Sequence, residues 1–246
     1  MDLKIPATLN NFIQLGAAIP EYTYERLSNA HVFQSPSGFL GIYNRIVTDD
    51  ANVVKGLQER YANSMYSVVS MTDKALPLEA LGFYPGTLVW EMHLDLEHDF
   101  KGIAYNEKIA TQIVKDEAGL DQWTQVVAKA YGMPEEAALR ELRSYWKSAS
   151  ERFLFVMAMH EGKAVSACGA FLMGDTAAIY MAATLEEHRK QGLGSAVVHT
   201  LLSTLKERGI RKATLQVKEE GLHEAYKRYG CKDTLQYYQH MHPPGK

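Results

Sequence analysis

The chain has 246 residues, with 26 Lys and Arg against 29 Asp and Glu, and a formal net charge of −3. A hydrophobic fraction of 46% and a charged fraction of 22% are typical of a globular protein, and they exclude disordered and collagen-like chains. The nearly balanced charge predicts neither a nucleic-acid nor a membrane partner. The sequence has no run of about 18 apolar residues, so we predict no membrane span. Its first residues lack a basic region followed by an apolar run, so we predict no secretory signal. We therefore expect a cytoplasmic protein of one or two domains.

The first hundred residues predict a short α/β segment. Alternating and β-branched runs indicate strands at 38–47, 66–71 and 87–94, and apolar spacing indicates helices at 51–62 and 77–81. A polar, charged stretch at 95–102 then interrupts the pattern. We place a domain boundary there, which divides the chain into residues 1–101 and 102–246.

The second part predicts a longer series of strands and helices. Strands are predicted at 108–114, 153–159, 164–173, 177–184, 212–217 and 234–241, and helices at 117–131, from Pro134 onward, at 194–208 and at 222–229. Two hairpins followed by strand, helix, strand, helix and strand are typical of an α/β layer fold with a mixed sheet.

Residues 78–83 resemble residues 225–231, because each is a short helix that is closed by glycine and followed by a strand. This similarity predicts an internal duplication. Coincidence is the alternative, since many helices stop at a glycine.

Residues 184–198 carry the most informative pattern. A strand end is followed by the basic turn Arg189-Lys190-Gln191-Gly192-Leu193-Gly194 and then by an apolar helix. The first turn of a helix has N–H groups without intrahelical partners and a positive dipole end, so this arrangement suits a phosphate. It is neither a Walker A loop nor a dinucleotide-binding G-x-G-x-x-G, because Val197 stands at the third glycine position. The alternative is a strand-to-helix turn whose glycines only relieve crowding.

This segment resembles the acetyl-CoA-binding motif of the GCN5-related N-acetyltransferase (GNAT) family, in which Arg or Gln is followed by x-x-Gly-x-Gly or Ala. The later run Tyr226-Lys227-Arg228-Tyr229-Gly230 also matches the family, and the resemblance covers about residues 103–242. Two departures are Glu219, where members often have asparagine, and Cys231, where they usually have phenylalanine. The resemblance implies a mixed, mostly antiparallel sheet flanked by helices, preceded by a smaller, degenerate α/β domain of related topology.

The resemblance also implies a site for acetyl-CoA. The backbone of residues 191–195 would hold the pyrophosphate, and that of residues 181–184 would pair with the pantetheine arm and supply an oxyanion donor. The implied acetyl-CoA-binding residues are Met181, Ala182, Ala183, Thr184, Arg189, Lys190, Gln191, Gly192, Leu193, Gly194 and Ser195. Tyr226 holds the family position of the general acid that protonates the departing thiolate. Its alternative is a packed aromatic residue, which is the role we expect of Tyr229.

Several other residues stay open between a chemical and a structural role. The candidates for the general base are Glu186, Glu187, His188, Glu219, Glu220 and His223, with a water chain to bulk solvent as an alternative. Trp123, Tyr131, Tyr145 and Trp146 lie in the helices where this family builds its acceptor site, but core packing is favoured for each. Cys168 and Cys231 are expected to be inert core thiols. His240 and His242 are expected on a surface strand, and no metal site is predicted.

Together these features predict an acetyl-CoA-dependent N-acetyltransferase, monomeric or homodimeric, that acetylates the primary amine of a small-molecule or peptide acceptor by direct attack. The alternatives are an acyl-CoA-binding sensor without turnover and a purely structural domain. The N-terminal half lacks the glycine motif and has Asp49 and Asp50 where a phosphate would sit, so like charge would repel a pyrophosphate. We therefore expect one acetyl-CoA per chain.

Overall fold

The computed structural model describes residues 7–19, 21–35, 44–61 and 64–243, which form two compact units. The first unit comprises the described residues up to Met92 together with Gln216–His223 and 233–243. The second comprises His93–Leu215 and Glu224–Lys232. The division of the sequence at residue 101 stays a prediction, because compact packing does not reveal where a sequence module begins.

Helices and strands alternate along most of the described chain. The first are α1 (Ala7–Ala18), β1 (Thr23–Arg26), β2 (His31–Gln34), β3 (Arg45–Val47), α2 (Ala51–Leu57), β4 (Tyr66–Ser70), β5 (Thr87–Asp95) and β6 (Thr111–Ile113). They continue with α3 (Glu117–Tyr131), α4 (Glu135–Ala149), β7 (Phe153–His160), β8 (Lys163–Met173), β9 (Thr176–Thr184), α5 (Leu193–Glu207), β10 (Lys212–Val217), α6 (Glu220–Arg228) and β11 (Lys232–His242). Short 3-10 helices lie at Gln58–Tyr61, Glu79–Leu81, Ser150–Arg152 and Glu186–His188.

The predicted elements of the second half are confirmed, with ends that differ by a few residues. In the first half, α2 stops at Leu57 and gives way to a 3-10 turn, and the predicted helix at 77–81 is a 3-10 turn. The strand predicted at 38–47 appears as β3, while residues 38–43 of that prediction lie outside the described residues. The sequence analysis does not predict α1, β1 or β2. For β1 and β2 the reason is that strands of four residues are too short to show a period.

The described strands of the first unit lie in the order β1-β2-β3-β4-β11-β5. β3 and β4 pair in parallel and are joined by α2, whereas the β1–β2, β2–β3 and β4–β11 pairs are antiparallel. The last strand of the chain therefore lies inside a sheet whose other strands come from its N-terminal part.

The position of β11 corrects the expectation of a surface strand at 234–241. His240 faces Val68 of β4 in the strand register and is completely buried. Its Nε2 accepts a hydrogen bond from the backbone N–H of Leu76 at 3.2 Å. The prediction was wrong because it rested on the nearby prolines, whereas burial of a strand is decided by partners far away in the chain.

The core of the first unit forms where α2 covers β3 and β4. Ile46, Val54, Tyr66 and Val68 are buried in one hydrophobic cluster. α2 begins at its N-cap Asp50, whose carboxylate accepts a hydrogen bond from the backbone N–H of Asn52 at 2.8 Å. This acid therefore has a structural role at the start of the helix.

The strands of the second unit lie in the order β10-β9-β8-β7-β6. β9 and β10 pair in parallel and are joined by α5, and the β6–β7, β7–β8 and β8–β9 pairs are antiparallel. α3 and α5 both pack on β8 and β9. The order β9-α5-β10 repeats the order β3-α2-β4 of the first unit. The predicted fold is therefore confirmed: a mixed, mostly antiparallel sheet flanked by helices, preceded by a smaller α/β segment of related topology.

Local capping explains the ends of α3. The carboxylate of Asp116 accepts a hydrogen bond from the backbone N–H of Gly119 at 2.8 Å, and the helix stops at Gly132, which has a φ of 65°. Glycine adopts this left-handed conformation without a steric penalty. Among the described residues, no helix has both the length and the apolar character that crossing a membrane requires.

Candidate active site

An irregularity in β9 marks the centre of the candidate site. Ala183 pairs with Ala167 of β8 and Tyr180 pairs with Gly169, so two residues of β9, Met181 and Ala182, face one residue of β8. This is a β-bulge, and Met181 has a φ of 54° within it. Bulges bend a strand and change the direction of its backbone groups. The four residues predicted to pair with pantetheine, 181–184, begin at this bulge.

β9 and β10 pair only at their starts. Their parallel register runs from the pair Lys212 and Thr176 to the pair Thr214 and Ala178, although β9 continues to Thr184. The residues of β9 from the bulge onward are half-buried. A strand edge of this kind is suited to an extended ligand that adds to the sheet through backbone hydrogen bonds.

The glycine turn connects this edge to α5. Nε of Arg189 donates a hydrogen bond to the backbone carbonyl of Thr184 at 3.2 Å, which holds the turn against the strand end. Gly192 is the N-cap of α5 with a φ of 82°, and no side chain caps the helix. A Cβ at Gly194 would lie 3.4 Å from Oγ1 of Thr184, so the helix starts close to β9.

The start of α5 has the features of an anion site. Its first-turn N–H groups have no side-chain cap, and the helix is 15 residues long, so its dipole is fully developed. Arg189, Lys190, Gln191 and Gly192 are exposed. Positive charge, uncapped N–H groups and an exposed glycine fit a pyrophosphate. The predicted phosphate-contacting residues are therefore brought together at one place.

Tyr226 lies on α6, with its ring 6.0 Å from the ring of Tyr229 in an edge-on arrangement. Burial raises the pKa of the Tyr226 hydroxyl above that of an ordinary phenol, and the neighbouring Cys168, Cys231 and Tyr131 disfavour a negative charge there. The phenol is thus protonated across the physiological range. The hydroxyl of Tyr229 and Oγ of Ser195 are 3.2 Å apart, which ties α6 to the first turn of α5.

Two of the six candidates for the general base, Glu187 and His223, already contact other side chains. Oε1 of Glu187 accepts from Nζ of Lys129 at 2.8 Å, and this hydrogen bond lowers the pKa of Glu187. His223 is buried, with Nε2 2.6 Å from a carboxylate oxygen of Asp233 and its ring stacked on Trp90. A buried, paired imidazole is poorly placed to take a proton from an incoming amine.

The four aromatic residues considered for the acceptor site separate into two groups. Trp123 and Tyr145 are buried in the core, and Trp146 is half-buried with its ring stacked on Phe155 at 6.0 Å, so all three have packing contacts. Tyr131 is 55% exposed, and its hydroxyl donates a hydrogen bond to the carbonyl of Ala182 at 3.0 Å. The expectation of core packing is therefore wrong for Tyr131, and its contact with Ala182 places it beside the candidate site. Sequence spacing places Tyr131 on α3 but carries no signal of its contact with the bulge.

The thiols of Cys168 and Cys231 are buried, and burial raises the pKa of each to about 12. Such thiols are poor nucleophiles at neutral pH, as expected for core cysteines. In the part of the chain that the structure describes, no three His, Cys, Asp or Glu side chains form a group that could hold a metal ion.

The sequence model of the acetyltransferase (GNAT) family matches residues 120–231. This segment contains β9 with its bulge, the glycine turn, α5 and Tyr226. Residues 120–231 are therefore a domain of the acetyltransferase (GNAT) family. A comparison with curated proteins finds no match.

Solved structures extend the similarity of fold over most of the chain. A GCN5-related N-acetyltransferase from Kribbella flavida is 14% identical, and the match covers 99% of this chain and 97% of that chain with a TM-score of 0.68. A GCN5-related N-acetyltransferase from Sphaerobacter thermophilus is 16% identical, with coverages of 100% and 88% and a TM-score of 0.61. A tandem GNAT protein from the clavulanic acid biosynthesis pathway is 13% identical, with coverages of 96% and 89% and a TM-score of 0.59. At these identities the similarity establishes the fold.

Proposed function

We propose that the protein is an acetyl-CoA-dependent N-acetyltransferase that acetylates a primary amine on a small molecule or peptide. The observation that carries this proposal is the strand edge of β9 opening beside the uncapped start of α5. It offers backbone acceptors for an extended amide chain and N–H donors for a pyrophosphate, and these are the two ends of the CoA arm. Both lie within the segment that belongs to the GNAT family.

In this proposal the N–H groups of residues 191–195 bind the pyrophosphate, and Arg189 and Lys190 add positive charge. The pantetheine arm pairs with the edge at residues 181–184. The bulge directs a backbone N–H at the thioester oxygen, which gains negative charge as the amine attacks.

The reaction requires one bond to form and one to break. The neutral amine attacks the thioester carbon, the C–N bond forms, the C–S bond breaks, and the thiolate leaves. Tyr226 donates its hydroxyl proton to the sulfur, and the proton released by the amine nitrogen restores the phenol. The raised pKa of Tyr226 keeps the phenol protonated before the thiolate departs.

In this proposal the first unit does not bind acetyl-CoA. Where a phosphate would approach α2, Asp50 caps the helix, and Asp49 accepts a hydrogen bond from the backbone N–H of Met71 at 2.6 Å. Two carboxylates at a helix start repel a pyrophosphate. We therefore propose a single acetyl-CoA site per chain, in the second unit.

The test is a panel of primary amines with acetyl-CoA, in which release of free thiol is followed. We expect thiol release that depends on one class of amine, and calorimetry that gives one acetyl-CoA per chain. Binding without thiol release for every amine would favour an acyl-CoA sensor instead. No binding of acetyl-CoA, or two equivalents per chain, would contradict the proposal.

A further inference from the structure

The last turn of α3 reaches both ends of the strand edge that we assign to pantetheine. Nζ of Lys129 lies 2.8 Å from Oε1 of Glu187, beyond the end of β9, and the hydroxyl of Tyr131 lies 3.0 Å from the carbonyl oxygen of Ala182, in the bulge. The ion pair is exposed, and exposed pairs contribute little stability. Of these two contacts of α3, the Tyr131 hydrogen bond is the one that involves the backbone of residues 181–184.

The direction of the Ala182 carbonyl follows from the strand register. The backbone N–H of Leu185 donates to the carbonyl of Val165 on β8 at 3.0 Å. Backbone groups two residues apart point to the same neighbouring strand, so the N–H of Ala183, which is paired with Ala167, also points toward β8. The trans peptide between Ala182 and Ala183 turns the Ala182 carbonyl the opposite way. It therefore points to the side where pairing with β10 has ended.

We propose that Tyr131 competes with acetyl-CoA for the carbonyl of Ala182. This inference rests on the proposed function. An extended pantetheine arm that pairs with this edge presents amide N–H donors in the plane of the sheet, which is where the Tyr131 hydroxyl now donates.

Exposure of Tyr131 gives its hydroxyl an alternative hydrogen-bond partner in water. The side chain is 55% exposed, and α3 ends at the following residue, Gly132. Binding of acetyl-CoA exchanges one hydrogen bond to Ala182 for another, and the Tyr131 hydroxyl moves to water. In the absence of acetyl-CoA the Tyr131 hydroxyl thus keeps the Ala182 carbonyl hydrogen-bonded, and it weakens acetyl-CoA binding by the net free energy of that hydrogen bond.

The direct test is Tyr131→Phe, which keeps the ring and removes the competing hydroxyl. We expect this variant to bind acetyl-CoA about two- to tenfold more tightly in calorimetry, which is the range of one net hydrogen bond. A residue with a merely structural role would not tighten binding when its hydrogen bond is removed. The matched control is Tyr84→Phe, an exposed tyrosine in the first unit, for which we expect unchanged affinity.

A fragment of acetyl-CoA tests which part of the proposed site the Tyr131 hydroxyl affects. Adenosine 3′-phosphate 5′-diphosphate keeps the pyrophosphate but lacks pantetheine, so it contacts only the α5 end of the proposed site. We expect its affinity to be equal in the wild type and in Tyr131→Phe. Unchanged or weaker binding of acetyl-CoA to Tyr131→Phe, or tighter binding of the fragment, would overturn this inference alone. Failure of the wild type to bind acetyl-CoA would overturn the proposed function and the inference with it.

Discussion

At the scale of single residues, Tyr226 combines a protonated phenol with the position on α6 that we assign to the general acid. We expect Tyr226→Phe to lower kcat by about 10²–10⁴-fold, because the ring remains while the proton donor is lost. The dissociation constant of acetyl-CoA should hardly change, since the proposed contacts with acetyl-CoA are made by other residues. Steady-state kinetics and calorimetry on one preparation measure both quantities. A variant with the kcat of the wild type at every pH would assign Tyr226 to packing.

Gly192 is the second residue whose conformation matters directly. Its φ of 82° is strained for any residue with a Cβ, although a Cβ would meet only Cδ1 of Ile109, at an ordinary distance of 3.6 Å. We expect Gly192→Val to fold cooperatively, to lose about 1–2 kcal/mol of stability, and to lose acetyl-CoA binding almost completely. Chemical denaturation and calorimetry test the two effects separately.

Gly209 supplies the control for this prediction. It follows α5, has a φ of 79°, and a Cβ there would meet no atom within 4 Å. Gly209→Val introduces the same backbone strain far from the start of the helix. It should lose similar stability and keep its affinity for acetyl-CoA. Equal loss of binding in both variants would mean that strain in α5, and not the phosphate contact, explains the result.

At the scale of elements, α2 and α5 occupy equivalent places in two related units but begin in different ways. α2 starts at a capping carboxylate, whereas α5 starts at an uncapped glycine. We expect Asp50→Ala to lower the free energy of unfolding by about 0.5–2 kcal/mol, the range for loss of an N-cap. Asp50→Asn keeps a capping oxygen and should retain most of that stability. Chemical denaturation of the two variants beside the wild type measures the difference.

The same pair of variants examines the role of the first unit. Removing the carboxylate at Asp50 eliminates a repulsive charge but creates no glycine turn. Calorimetry should therefore still give one acetyl-CoA per chain for both variants. A second equivalent in Asp50→Ala would indicate that charge alone prevents the first unit from binding acetyl-CoA.

At the scale of the whole molecule, three histidines link stability to pH. Burial lowers the pKa of His31, His93 and His240 below the ordinary value of 6.5, and nearby cations, Arg26 for His31 and Lys212 for His93, add to the effect. Below this pH the unfolded chain binds more protons at these sites than the folded protein does. Their contribution to stability is therefore complete above about pH 6.5 and is lost as the pH falls.

We expect the free energy of unfolding to decrease between pH 7 and pH 5.5, by at most about 1.4 kcal/mol per pH unit for each histidine. Denaturation curves at several pH values measure this slope. His240→Gln retains an acceptor for the Leu76 N–H and removes one titrating group, so its slope should be shallower. A stability that stays constant or rises toward pH 5.5 in the wild type would contradict the assignment.

Features that depend on near neighbours were predictable from the amino-acid sequence. The helix α3 between Asp116 and Gly132, the strand β10 and the glycine turn before α5 belong to this group, because capping, periodicity and glycine conformation act within a few residues. The motif in that turn also predicts an anion site, and that site stays a prediction.

Features that join distant segments became visible only in the folded chain. The insertion of β11 beside β4 brings together residues about 170 positions apart, and no local pattern at His240 reports it. The bulge at Met181 depends on its register with β8, and the contact of Tyr131 with Ala182 spans 51 residues. Such contacts arise from the packing of whole elements against each other, and a residue's own neighbours in sequence carry no record of them.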